Sequence, residues 1–352
     1  MKRRTAAVVG LVLVVISSVA LNWHRAFAPV AAQEPLIQVK GESPAPPQQK
    51  TTAENLWLSD DRPYPALFVD DVISLLTTAI EELIEKKAAK SSDDLRKNLD
   101  RTEFATTLPQ PFVKQVSTSE LYRRTIDSVF LVAGLTKPTA NDTAWKTAFS
   151  TAFVVQADGI LSTSAHVFDH NDHDDAVIVM DVRGKTYPII ELLAVNRKAD
   201  TCLFRIDAKG LQPLPLGKEV PPGTPIRVLG HPGDSFYFFS AGHLANYERD
   251  EEGRSWLNIT ADFGQGSSGG PVMDEAGNVV GQVSRTYTLY AGGESSQRRR
   301  RPRVTRAMNA VEPAEEAKKD APAEELESRK KSDPQMVFKA CTPVSAIRAL
   351  VK

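Results

Sequence analysis

The stretch Gly266-Ser-Ser-Gly-Gly-Pro271 constrains the fold of this 352-residue chain more than any other part of it. Two glycines follow Ser268, and one precedes it by two positions. A turn with glycines at these places lets consecutive backbone N–H groups point at one spot beside a serine hydroxyl, as a developing oxyanion requires. The stretch therefore predicts a nucleophilic serine, Ser268, beside an oxyanion hole formed by the backbone of Gly266, Ser267 and Ser268.

Two further candidate residues lie upstream of that loop. A hairpin signal turns at Asp158-Gly159, and its second strand leads into His166. Asp200 opens a mostly apolar segment that ends at Ile206. Taken singly, a histidine is most often an ordinary core or surface residue, and an aspartate before a strand is usually a turn residue. Together with Ser268 they follow the order His, Asp, Ser, which is one of the known orders of a catalytic triad.

These motifs resemble the trypsin-like serine peptidases, and most of all the bacterial HtrA (Deg-type) branch. They stand here as Thr163-Ser-Ala-His-Val167, Asp200-Thr-Cys-Leu-Phe-Arg-Ile206 and Gly266-Ser-Ser-Gly-Gly-Pro271. The resemblance implies a mainly β, chymotrypsin-like fold of two consecutive six-stranded antiparallel barrels. It also implies a serine endopeptidase that works through an acyl-enzyme, with His166 as base, Asp200 orienting the imidazole and Ser268 as nucleophile.

The resemblance further implies a primary substrate pocket, whose walls are Asp262, Phe263 and Gln265 before the nucleophile and Ser284 on the facing strand. Two interpretations remain open. Asp262 falls where trypsin-like enzymes place the acid that binds Arg or Lys. In HtrA proteins the same loop accepts small aliphatic residues, and Phe263 would then fill the base of the pocket. Arg285, if it faced the pocket, would neutralise Asp262 and disfavour basic substrates.

Two features depart from the HtrA pattern. The glycine-rich approach to the first barrel strand reads Phe149-Ser-Thr-Ala-Phe153 here. The chain ends at Lys352, so we expect no PDZ domain after the peptidase. A second hypothesis is therefore a catalytically silent binding or scaffold module on a peptidase fold. A third is an esterase that uses the same three residues.

Composition and the N-terminus predict where the protein acts. The chain is 41% hydrophobic and 25% charged with a net charge of −1, which predicts no general attraction to nucleic acid. Lys2-Arg-Arg4 precedes an apolar run and then small residues, a pattern typical of a bacterial export signal over residues 1–32. An uncleaved inner-membrane anchor is the alternative. We expect a periplasmic or secreted protein with protein or peptide substrates, and the resemblance leaves homo-oligomers open.

The remaining segments differ in composition. Residues 33–65 are polar and proline-rich and predict a linker, whereas apolar residues at helical spacing predict helices within 66–105. That helical segment either packs on the peptidase or serves docking or oligomerisation. The peptidase domain is expected over 117–352, interrupted by a charged, disordered insertion at 291–334. The insertion is either a solvated loop or an arginine-rich contact for an anionic surface.

Two remaining features concern cysteines and metals. Cys202 and Cys341 are too few for a disulfide framework, and they are either buried free thiols or a single bridge. The acidic and histidine-rich loop 169–175 offers metal-ligand types in a row, but adjacent ligands rarely form a specific cage. We expect neither a metal nor a cofactor.

Overall fold

Antiparallel strands are the main secondary structure in the part of the chain that the structure describes. The computed structural model describes residues 57–59, 62–65, 68–137, 145–169, 174–233, 235–290 and 334–352. The predicted signal or anchor, most of the linker and nearly all of the charged insertion lie outside these residues. Among the described residues, no helix is long and apolar enough to cross a membrane.

Six strands close into a first antiparallel barrel. A separate hairpin, β1 (Trp57–Ser59) and β2 (Arg62–Pro65), precedes it in the chain. The barrel strands are hydrogen-bonded in the order β3-β4-β5-β8-β7-β6. Their bounds are β3 Val129–Thr136, β4 Lys146–Gln156, β5 Ile160–Thr163, β6 Ala176–Met180, β7 Thr186–Asn196 and β8 Thr201–Ile206.

A second antiparallel barrel of six strands follows directly. Its strands are hydrogen-bonded in the order β10-β11-β14-β13-β12-β9. Their bounds are β9 Pro225–Gly230, β10 Phe238–Arg249, β11 Ser255–Ile259, β12 Pro271–Met273, β13 Val279–Tyr290 and β14 Pro334–Pro343. The predicted fold class, two consecutive six-stranded antiparallel barrels, is confirmed.

Three apolar clusters hold the barrels together. Alternating strand residues fill each barrel, such as Phe130 and Phe204 in the first and Leu257 and Val283 in the second. A third cluster draws on both barrels and on the C-terminal helix; it includes Val129, Phe153, Leu203, Leu229, Met273, Val344 and Ile347. Burial of this shared cluster fixes one barrel against the other, because separating the barrels would expose it to water.

Short helices surround the barrels. The predicted helical segment contains α1 and α2, and the bounds are α1 Val69–Glu85, α2 Ser92–Arg96, α3 Thr118–Thr125, α4 His166–Asp169 and α5 Val344–Arg348. The apolar face of α1, with Val72, Leu76 and Ile80, packs against β3 and β6 of the first barrel. Among the two roles open for this segment, packing on the barrel is the one for which the structure supplies contacts.

The two cysteines are free thiols, each buried in a different barrel. Cys202 lies in the core of the first barrel and Cys341 in that of the second. A bridge between them, the alternative left open by the sequence, is therefore wrong. Burial raises the pKa of both thiols far above the ordinary value, so neither is a reactive thiolate.

Candidate active site

The three predicted catalytic residues come from segments that connect barrel strands. His166 opens α4, directly after β5, and Asp200 lies in the turn between β7 and β8. Ser268 lies in the loop that joins β11 to β12 of the second barrel. Two members of the trio therefore belong to one barrel and the third to the other.

The imidazole of His166 lies between Asp200 and Ser268. Its Nδ1 is 2.9 Å from Asp200 Oδ2 and 3.0 Å from Oδ1, and its Nε2 is 3.0 Å from Ser268 Oγ. A carboxylate accepts only, so Nδ1 carries the proton and Nε2 presents its lone pair to the serine hydroxyl. This is the arrangement in which a histidine can take a proton from a serine.

The Asp200 carboxylate is held from several directions. The backbone N–H of His166 donates to Oδ1 over 3.0 Å, and the hydroxyl of Ser284 donates to Oδ2. The backbone of Asp200 has a positive φ of 55°, an uncommon conformation for a residue other than glycine. The turn thus points the carboxylate at the imidazole at the cost of some backbone strain.

Ser284 makes a side-chain contact that the sequence did not suggest. It was expected on the wall of the primary pocket, but its side chain is buried and hydrogen-bonded to Asp200. The reason is a register shift between Val283 and Arg285, where β13 has one residue more than β14. The Ser284 carbonyl oxygen remains next to the reacting centre, 3.3 Å from Ser268 Oγ.

Burial and the charge of Asp200 act in opposite directions on His166. Burial lowers the pKa of the imidazole, but the hydrogen bond to Asp200 and its negative charge outweigh this, so the pKa is raised above its ordinary value. An imidazolium formed during a reaction would therefore be stabilised by its neighbour.

The loop around Ser268 depends on two glycines with positive φ. Gly266 has a φ of 95° and Gly269 one of 87°. A Cβ on Gly266 would lie 2.2 Å from the carbonyl oxygen of His231, so only glycine fits there. The Ser267 N–H donates to the Gly264 carbonyl over 3.0 Å. Within the described residues, the N–H groups of Gly266 and Ser268 have no protein acceptor, so of the three predicted oxyanion residues these two offer free donors.

Thr151 of β4 joins this loop to the first barrel, a role that sequence reasoning missed. Its N–H donates to the Ser268 carbonyl over 2.9 Å, and its Oγ1 donates to the Gly266 carbonyl over 2.9 Å. In return, its hydroxyl accepts from the His231 N–H over 3.2 Å. The departure from a glycine-rich sequence at 149–153 was the signal for this contact, because a threonine hydroxyl can make hydrogen bonds that glycine cannot.

His231 lies fully buried beneath the same loop. Its Nδ1 accepts from the Tyr237 N–H over 3.1 Å, and its ring makes edge contacts with Phe236 and Tyr237. Burial lowers the pKa of His231 to about 3, so the ring is neutral at physiological pH. It therefore supports the loop as a neutral packing residue.

An open cleft of about 430 Å³ leads to the trio. Its lining residues are Thr147, Ala148, Phe149, Ser150, His166, Val167, Gly233, Gln265, Gly266 and Ser268. Of the four predicted pocket residues, only Gln265 is part of this lining. Phe263 is instead buried in the core of the second barrel, among the residues that pack on Leu257.

The charges near the predicted pocket are also arranged differently from the expectation. The side chain of Asp262 is 84% exposed, and the nearest cation is Lys339, 3.9 Å away. Arg285 lies over the ring of Trp256, 3.9 Å from its centroid, and 3.7 Å from Asp250. The sequence had left open that Arg285 neutralises Asp262, but Lys339 of β14 approaches that carboxylate instead.

No metal site emerges in the part of the chain that the structure covers: no three His, Cys, Asp or Glu side chains there are placed to hold an ion. Residues 170–173 of the acidic loop lie outside the described ranges.

Comparison with known proteins gives matches over part of the chain. Residues 150–281 match the family described as trypsin-like peptidase domain. Serine protease HTRA1 of Xenopus laevis is 32% identical over 144 residues, 38% of this chain and 30% of that protein. A probable periplasmic serine endoprotease, DegP-like, of Pseudomonas fluorescens is 28% identical over 145 residues, 40% of this chain and 30% of that protein. The chain thus spans about 30% of the length of these curated relatives.

Solved structures give a similar picture. An HtrA-type protease determined with a decapeptide is 22% identical, with a TM-score of 0.42 over 52% of this chain and 61% of that one. A serine endoprotease from Yersinia pestis is 20% identical, with a TM-score of 0.39 over 49% of this chain and 58% of that one.

Proposed function

We propose that the chain, whose residues 150–281 match the trypsin-like peptidase domain, is an exported serine endopeptidase. Ser268 is its nucleophile, His166 its general base and Asp200 the residue that orients the base. The observation that carries the proposal is the position of the imidazole, with one nitrogen 2.9 Å from the Asp200 carboxylate and the other 3.0 Å from Ser268 Oγ.

The first chemical step is attack on a peptide carbonyl. A serine hydroxyl is a weak nucleophile at neutral pH, so His166 Nε2 takes its proton as Ser268 Oγ bonds to the carbonyl carbon. Asp200 stabilises the imidazolium that results. His166 then returns the proton to the leaving amine, and the acyl-enzyme remains. Water, deprotonated by the same imidazole, releases the acid product and restores Ser268.

Negative charge that develops on the carbonyl oxygen needs donors nearby. The N–H groups of Gly266 and Ser268 serve this purpose, because they flank the nucleophile in the chain and have no acceptor among the described residues. Loss of one such donor costs about 3–4 kcal/mol of transition-state stabilisation. The positive φ of Gly266, 95°, is a backbone conformation that glycine adopts readily.

The substrates are proteins or peptides outside the cytoplasm. Two observations support this part of the proposal: the N-terminal pattern typical of an export signal, and relatives that are named periplasmic serine endoproteases. The open form of the cleft beside His166 and Gln265 suits an extended peptide.

Covalent labelling tests the proposal. The full-length chain is treated with a fluorophosphonate probe at pH 7.5, and the modified peptide is identified by mass spectrometry. We expect the label on Ser268, no label in Ser268→Ala, and full labelling in Ser255→Ala, which changes an exposed serine of β11.

Turnover separates the rival functions. Hydrolysis of an unfolded protein such as casein, lost in Ser268→Ala, supports the endopeptidase. Hydrolysis of a small ester without any cleavage of casein would favour the esterase. A folded protein that neither reacts with the probe nor cleaves either substrate would overturn the proposal in favour of a binding module.

A further inference from the structure

Lys339 lies between two segments that the sequence assigns to the walls of the primary pocket, the strand that carries Ser284 and the loop before Ser268. It pairs with Thr286 on β13 and with Ile259 on β11. Thr286 is two residues, about 7 Å of strand, beyond Ser284. The Ser284 carbonyl lies 3.3 Å from Ser268 Oγ, so β13 leads from Lys339 to the reacting serine.

The side chain of Lys339 also reaches the opposite wall, the loop before Ser268. Its ammonium donates to the carbonyl oxygen of Phe263 and lies 5.1 Å from the centre of the Phe263 ring. Phe263 precedes Ser268 by five residues. Lys339 thus joins the strand that carries Ser284 to the segment that precedes Ser268, and a substrate side chain held between these two segments would meet its ammonium.

The ammonium of Lys339 is largely buried, but it has few hydrogen-bond acceptors within the described residues. Its side chain is 17% exposed, yet of its three N–H donors only one has a hydrogen-bonded acceptor within the described residues, the Phe263 carbonyl. The nearest carboxylate, Asp262 Oδ1, lies 3.9 Å away, beyond hydrogen-bonding distance, and belongs to a side chain that is 84% exposed. A largely buried cation with unfilled donors gains from a close carboxylate.

We propose that Lys339 determines specificity by binding the carboxylate of an Asp or Glu side chain on the residue before the scissile bond. The inference rests on the proposed endopeptidase and names its substrate class. It replaces both interpretations of the pocket that the sequence offered. A basic side chain would meet a cation that already uses the Phe263 carbonyl, and a small aliphatic side chain would leave the ammonium donors unfilled.

The test compares peptides that differ in one functional group. Fluorogenic peptides of one sequence carry Glu, Gln, Val or Lys before the scissile bond, and kcat/KM is measured with the full-length protein. We expect Glu to exceed Gln by about 10- to 100-fold, which is what a hydrogen bond between charged groups provides.

Three variants assign the effect to Lys339. Lys339→Met keeps the apolar stem and should bring the Glu/Gln ratio close to one, while Lys339→Arg should retain most of it. Lys218→Met removes an exposed lysine elsewhere and should leave the ratio unchanged. Circular dichroism and thermal unfolding of each variant establish that the fold is intact. A wild-type ratio of one or below, or a ratio unchanged in Lys339→Met, would overturn the inference.

A binding measurement separates this inference from the proposed catalysis. The Glu and Gln peptides are titrated into Ser268→Ala protein by calorimetry. Tighter binding of the Glu peptide, lost on adding Lys339→Met, supports the acidic pocket even if the native protein proves inactive. Equal binding of both peptides, in a protein that also shows no preference in turnover, excludes it.

Discussion

The backbone N–H of Thr151 donates to the carbonyl oxygen of Ser268 over 2.9 Å, so a strand of the first barrel holds a loop of the second. His166 and Asp200 lie on the barrel that contains Thr151. The distance from imidazole to hydroxyl is therefore set by a contact between barrels, and changes at that contact should alter activity before they unfold the protein.

Replacement of Gly269 by alanine tests this contact. A Cβ there would lie 2.1 Å from both the Thr151 carbonyl oxygen and Thr163 Oγ1. We expect Gly269→Ala to abolish fluorophosphonate labelling of Ser268 and to lower the free energy of unfolding in urea by several kcal/mol. Gly223→Ala is the matched control, because its φ of 89° is nearly the same as the 87° of Gly269 and it has open space around it. It should cost about 1–2 kcal/mol and leave labelling intact.

Ser284 should act through Asp200 rather than through substrate contact. Ser284→Ala removes one of the donors to the carboxylate, which frees Asp200 to move relative to His166. We expect kcat to fall about tenfold or more, as for loss of a hydrogen bond to a charged group, with little change in KM. Steady-state kinetics on one peptide substrate measure both. A rise in KM at constant kcat would place Ser284 on the substrate side instead.

The dependence of activity on pH should report the protonation of the His166 imidazole. Only neutral His166 can accept the serine proton, and Asp200 raises its pKa above the ordinary value despite burial. Activity should therefore rise with pH through a value above about 6.5. In Asp200→Asn we expect kcat to fall by about 10⁴-fold and the acid limb to move to lower pH. Asp207→Asn, at an exposed position, should show the wild-type profile. An acid limb that does not move would contradict the assignment.

His231 should make the protein less stable in mild acid. Burial lowers its pKa to about 3 in the folded state, so the unfolded chain binds a proton that the folded one does not. The contribution of neutral His231 to the free energy of unfolding is complete above about pH 6.5. Below that pH it declines by roughly 1.4 kcal/mol per pH unit, down to about pH 3.

Urea unfolding at pH 7, 6, 5 and 4 measures this slope. His231→Asn keeps an acceptor for the Tyr237 N–H but cannot titrate, so its stability should depend less steeply on pH. It should also be less stable at pH 7, because the ring contacts with Phe236 and Tyr237 are lost. His243→Asn, at an exposed position, serves as the control with the wild-type slope. If the free energy of unfolding depended equally on pH in all three proteins, the lowered pKa of His231 would be contradicted.

The two thiols should be unreactive in the native protein. Cys202 and Cys341 are fully buried in separate cores, and burial raises the pKa of each. We expect no reaction with a thiol reagent such as DTNB under native conditions and two equivalents in guanidinium. A reducing agent should not change Tm. Fewer than two equivalents after unfolding without reductant would reveal a bridge.

The barrels were predictable because their signals are local. Alternating apolar residues separated by turn residues define strands, and the glycines around Ser268 define a loop that few residue types could form. The order and spacing of His166, Asp200 and Ser268 then restricted the topology. None of this required knowledge of which distant strands pair.

The contacts around the proposed substrate pocket were not predictable, because they depend on residues that lie far apart in the chain. Ser284 turns toward Asp200 because of an extra residue in β13, and such a register shift is invisible to periodicity. Lys339 contacts Phe263 across 76 positions of the chain, with the whole of the charged insertion between them. The sequence left open whether Arg285 faces Asp262; its guanidinium lies over the ring of Trp256 and 3.7 Å from Asp250 instead.

The hairpin of β13 and β14 brings Tyr290 opposite Pro334, so the chain leaves the second barrel and returns to it at the same place. The stretch between them, 291–333, therefore connects two points that strand pairing already holds together. The entropic cost of closing a connection between two such points grows slowly with the number of residues. A change in the length of that connection should therefore leave the pairing register of β13 and β14 unaltered.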